Sequence, residues 1–148
     1  MTTSPLALHF EADRTVFLDG AREDFELAVS PKVLADRYWP RSHPGSLQLE
    51  RAIDDVEVAI MQAGPRHAER GVLLATESLW KLLPGLLRQG ADLTRDDVEA
   101  RFTRLAASAL AADRGVAGPE TAGESAAALL LLREVMHHLG FSSLATES

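Results

Sequence analysis

Residues 6–32 read LALHFEADRTVFLDGAREDFELAVSPK, and the change of period inside this stretch decides the fold. In LALHF, Leu6, Leu8 and Phe10 fall on one side of an extended chain, with Ala7 and His9 on the other. That is the period-2 signature of a strand. EADR is a turn, and TVFL follows with Val16 and Leu18 on one face. Asp19-Gly20 is a turn dipeptide, and DFELAV alternates again, with Phe25, Leu27 and Val29 facing one way and Glu26 the other. Three short strands joined by short turns make an antiparallel meander. Its apolar face needs cover, because a small sheet cannot stand alone in water.

At Ser30 the pattern turns helical. Ser30 reads as an N-cap and Pro31 as the first helical residue, where a missing amide proton costs nothing. Trp39-Pro40 ends this short helix, since the residue before proline is pushed out of the helical region. In SLQLERAIDDVEVAIMQAG, Leu49, Ile53, Val56 and Ile60 form a clear amphipathic stripe that stops at Gly64-Pro65. RHAERGVLLATESLWKLLPGLLRQG reads as a further helix from about His67, with Val72, Thr76, Leu79 and Leu83 on one stripe and Leu73 and Trp80 beside it. Pro84-Gly85 should break or kink it. Thr94 and Asp97 form an acidic capping box ahead of a helix whose buried face is Val98, Phe102, Leu105 and Ala109. The last helix is expected to start at Thr121, with Glu124 completing its cap, and to run through Leu129–Leu132 to Gly140. Residues 141–148 read as a tail.

The expected fold is therefore α+β: an N-terminal three-stranded antiparallel meander packed on a bundle of four to five helices. The 148 residues are read as a single domain, 1–148, with a β layer over 1–30, a helical layer over 31–140 and the tail.

Composition narrows the function. A net charge of −7 argues against nucleic acid, because phosphate-backbone binding needs a basic face. The longest apolar run, Ala126 to Leu132, is too short to cross a bilayer, and no signal peptide is evident, so no membrane partner and a cytoplasmic location are expected. The chain has no cysteine, which removes disulfides and thiolate chemistry. Neither the Gly-x-Ser-x-Gly nucleophile pattern nor a glycine-rich phosphate loop occurs. No catalytic residue and no cofactor are assigned.

Three functional readings follow. The first is a non-enzymatic protein-interaction or regulatory module acting as a homodimer. It rests on the missing motifs and on more apolar helix surface than a small bundle readily covers, with Val72, Trp80, Leu129 and Leu132 as interface candidates. The second is a small anionic-ligand binding protein or enzyme using the Arg37–His43 stretch. Arg37, Arg41 and His43 are donors there, and Tyr38 and Trp39 offer flat surface. The same stretch also reads as a structural corner. The third is a metal-binding helical protein through Glu134 and His137, spaced i, i+3 on one helix face. A di-iron site would need a second such pair, and His137 and His138 also suit the carbonyl end of a helix. No metal site is assigned on this basis.

Overall fold

A computed structural model describes residues 5–40, 44–64, 70–83, 92–115 and 123–146. Its first three strands are β1 (Ala7–Phe10), β2 (Thr15–Asp19) and β3 (Arg22–Leu27). They pair antiparallel as the expected meander, with Leu8 opposite Phe17 and Phe17 opposite Phe25. Gly20 takes φ 64° in the turn between β2 and β3, a conformation that glycine adopts without a Cβ penalty.

The helical layer begins where the period changes. In α1 (Pro31–Tyr38) the Ser30 hydroxyl accepts the Val33 amide proton, and Pro31 opens the helix. α2 (Ser46–Gln62) buries Leu49, Ala52, Val56, Ala59 and Ile60. α4 (Arg95–Asp113) starts with a complete capping box: Asp97 N donates to Thr94 Oγ1, and Thr94 N donates to an Asp97 carboxylate oxygen. α5 (Glu124–Leu139) has Gly123 at its N-cap; Thr121 lies outside the described residues. Leu130, Leu131 and Leu132 have no exposure, so this helix is central to the bundle. It packs against α1, α2, α4 and the sheet. Each buried leucine contributes about 1.5–3 kcal/mol relative to an exposed one.

The expectation of one helix from His67 fails over the described part of that segment. Gly71–Ala75 is a strand, β4, followed only by the short α3 (Glu77–Trp80). A five-residue apolar run, GVLLA, carries no period and fits a strand as well as a helix turn. Pro84-Gly85 lies outside the described residues. The expected tail is also structured: Phe141–Thr146 forms β6. Phe141 and Leu144 are both buried although three residues apart, which hides the period of two. A bulge explains this. Gly71 pairs with Phe141 but Val72 pairs with Ser143, so Ser142 is an extra residue that restores Leu144 to the face of Phe141.

With β5 (Leu93–Thr94) the sheet has six strands in the order β3-β2-β1-β4-β6-β5. β1, β4 and β6 are mutually parallel, and the rest of the pairing is antiparallel. The fold is α+β, with the meander forming one half of a mixed sheet on which the helices pack. The core joins Leu8, Phe17, Phe25, Leu73 and Leu144 on the inner face to α5. Ring stacking of Phe17 on Phe25 at 4.3 Å reinforces it. Among the described residues, no helix is long and apolar enough to cross a membrane.

Candidate functional site

The topology itself points to one place. β1 continues leftward into β2, whereas β4 neighbours β6 on the right. Connections that diverge in this way leave a crevice at the carboxyl ends of the two parallel strands, where open sheets bind ligands. The carboxyl ends of β1 and β4 carry His9, Thr76 and Ser78. Alternation places His9 on the outer face, away from α5.

These three side chains are linked. Thr76 Oγ1 donates to the Leu8 carbonyl at 2.9 Å, and Phe10 N donates to Ser78 Oγ at 2.9 Å. Ser78 Oγ then lies 2.8 Å from Thr76 Oγ1 and 3.2 Å from His9 Nδ1. Because the Thr76 proton is engaged by Leu8, the Ser78 hydroxyl is the donor where it meets Thr76 Oγ1. Its contact with His9 Nδ1 takes its direction from the tautomer of the ring. All three residues are half-buried, so a ligand can reach them while water is partly excluded. A hydroxyl beside an imidazole can donate to an anion or pass a proton. Arg14, in the β1–β2 turn, is bound by Glu11, Glu23 and Glu26. Its bonds to Glu26 and then Glu11 hold its pKa well above the usual arginine range.

The Arg37–His43 stretch is arranged differently. Arg37 Nη1 meets Asp55 Oδ2 at 2.5 Å, and Tyr38 OH donates to the same oxygen at 2.6 Å. Burial, then the Asp55 carboxylate, raises the Tyr38 pKa. Trp39 is 3% exposed, and its Nε1 donates to the Gly123 carbonyl at 3.0 Å. These three residues tie α1 to α2 and to the start of α5. Arg41 and His43 lie outside the described residues. Of the four interface candidates, Leu129 and Leu132 are buried in the chain's own core, while Val72 and Trp80 are 37% and 39% exposed. Glu134 is buried and meets His138, one turn on, at 2.9 Å; His137 instead packs edge-on against the His138 ring.

A concavity of about 550 Å³ lies at the opposite edge of the sheet, lined by Gly71, Thr94, Arg95, Asp96, Gly140 and Ser142. Arg95 Nε there donates to the Phe141 carbonyl, so this cation helps close the edge. The chemistry converges at the β1–β4 end instead. Sequence reading missed that convergence because Thr76 and Ser78 fell inside an expected helix. The usable signal was an apolar run followed at once by the hydroxyls of ATES.

No family model matches the chain, and no curated protein matches it in sequence. Its fold, however, is found in solved structures. The type II variant of the Aquifex aeolicus Ppx/GppA phosphatase superposes with a TM-score of 0.70 at 12% identity, over 99% of this chain and 53% of that one. An exopolyphosphatase-like protein gives 0.65 at 13% identity, over 97% and 55%. An exopolyphosphatase from Cytophaga hutchinsonii gives 0.61 at 11% identity, over 98% and 53%. The chain thus spans about half the length of the structures it resembles. This likeness overturns the reading of a non-enzymatic interaction or regulatory module. Missing contiguous motifs supported that reading, but a site at the end of a sheet is assembled from β1 and β4, 60-odd residues apart, and leaves no such motif.

Proposed function

We propose that this chain is a phosphoanion-binding domain whose ligand sits at the carboxyl ends of β1 and β4 against His9, Thr76 and Ser78. The observation that carries the reading is the placement of two hydroxyls and an imidazole at the divergence point of the sheet. The fold shared with phosphatases supports phosphate as the anion. The Ser78 Oγ–H is a neutral donor, which suits a phosphoryl oxygen in a chain of net charge −7. The matched proteins are about twice as long, so hydrolysis of a phosphoric anhydride is proposed only where a second unit supplies groups that this edge lacks. This reading centres the anion site on the sheet and makes no use of the Arg37–His43 stretch.

Titration with pyrophosphate, followed by backbone amide resonances, tests the reading. The amides of His9, Phe10 and Ser78 should shift together, with a dissociation constant below about 1 mM. Ser78→Ala should weaken binding by about 2- to 10-fold, the value of one hydrogen bond. Unmoved amides at β1 and β4 up to about 10 mM ligand would overturn it.

A further inference from the structure

We propose that Glu57, Glu134 and His138 form a binding site for a divalent transition metal, with Zn²⁺ the ion that fits best. The site is separate from the sheet edge and does not depend on its role. It starts from an anomaly in α5. Glu134 is 2% exposed, in a helix otherwise buried through leucine, alanine, valine and methionine. Carboxylates are almost never buried so completely unless paired.

Its two oxygens have separate partners. Oε1 meets Arg133 Nη1 at 2.7 Å. Oε2 lies 2.9 Å from His138 Nε2, and that nitrogen is 3.7 Å from Glu57 Oε1 on α2. Three potential ligand atoms, one nitrogen and two oxygens, therefore lie within 4.8 Å of one another. Ligand atoms bound tetrahedrally to zinc at about 2.0–2.1 Å are about 3.3 Å apart, so small side-chain shifts seat the ion. Arg133 supplies the outer support: it fixes Oε1, turns Oε2 toward His138, and is itself held by two bonds to Glu99 and by the Phe102 ring.

Charge favours the same conclusion. Glu99 and Glu134 share the Arg133 guanidinium, and Glu57 stands across from Glu134 beside His138, so a dication there offsets carboxylate charge that Arg133 alone does not balance. Imidazole with carboxylate suits zinc better than magnesium or calcium, which take oxygen ligands alone. The side chains of Glu57 and His138 are 44% and 36% exposed, which leaves an entry path and room for water to complete the coordination. The sequence pairing of Glu134 with His137 at i, i+3 is replaced by i, i+4 pairing with His138.

Calorimetric titration of tag-free, chelator-stripped protein with Zn²⁺ is the test. One equivalent should bind with a dissociation constant below about 10 μM. Co²⁺ in its place should give the visible absorption of a four- or five-coordinate site. Glu57→Gln, on the exposed side where the fold is not at risk, and His138→Ala should each weaken Zn²⁺ binding at least about tenfold. His137→Ala should leave it unchanged. The proposal is overturned by no saturable binding up to about 1 mM Zn²⁺, by full binding in Glu57→Gln, or by loss of binding in His137→Ala.

Discussion

The inner and outer faces of the sheet are built for different ends. The inner face presents Leu8, Phe17, Leu27, Leu73 and Leu144, none of them exposed at all, to the leucines of α5. The outer face presents Ala7 and Val16, which are shielded but stand apart from the main core, with half-buried Leu18 and Leu74 and the more open Val72. His9, Thr76 and Ser78 lie at its edge, and the Arg14 cluster with Glu23 and Glu26 borders the meander. A sealed face can carry stability because every apolar atom finds a partner. A face with small cover can carry polar side chains without stranding them in hydrocarbon. The same six strands thus separate a sealed packing face from a face that carries polar side chains.

The largest effect should come from hollowing the inner face. Phe17→Ala or Leu73→Ala should lower unfolding free energy by about 3–5 and 2–5 kcal/mol respectively in chemical denaturation. A cost below about 1 kcal/mol at either site would remove the contrast between the faces. Next comes the polar exception on the inner side: Thr15 is fully buried, and its Oγ1 donates to the Val29 carbonyl at 2.8 Å. Thr15→Val keeps the shape and should cost about 0.5–1.5 kcal/mol, measured the same way. On the outer face, His9→Ala should change stability by less than about 1 kcal/mol yet weaken pyrophosphate about 2- to 10-fold, read by amide shifts. Equal losses in both would make His9 a packing residue. The smallest effect belongs to the α4 cap, which lies on neither face. The bond from Thr94 N, then that with the Thr94 side chain, holds the Asp97 carboxyl below its usual range. Such a depressed group stabilises fully above its unfolded pKa of about 4, and that stability is lost as pH falls through the folded value. Asp97→Asn should therefore lower stability slightly at neutral pH, leave it little changed in acid and so flatten the acid limb of a stability–pH curve.

Legibility in the sequence follows the same division. β1 and β3 were readable because His9 and Glu26 alternate with apolar neighbours, and β2 because the Asp19-Gly20 turn bounds it. α1 and α4 were readable from local chemistry, the Ser30–Pro31 start and the Thr94–Asp97 box. β4 was not, because its outward Val72 and Leu74 are as apolar as its inward Leu73 and Ala75. β6 was not, because the bulge breaks its alternation. With β4 hidden, the divergence point of the sheet was hidden as well, and His9 appeared only as the polar side of a strand. Trp39 was legible as a filler of the corner, but its partner, the Gly123 carbonyl 84 residues away, is set by tertiary packing alone.

The junction after α5 carries one residue more than the alternation of β6 requires. Gly140 turns the chain at φ 77°, Phe141 plugs the core at once, and Ser142 only brushes the Gly71 carbonyl at 3.2 Å. Many polar residues could replace Ser142. Deleting it would take out the bulge, place Leu144 two residues after Phe141 and leave both on the inner face. Evolution can therefore respell this connection freely, and dropping this one letter would straighten the strand without turning it over.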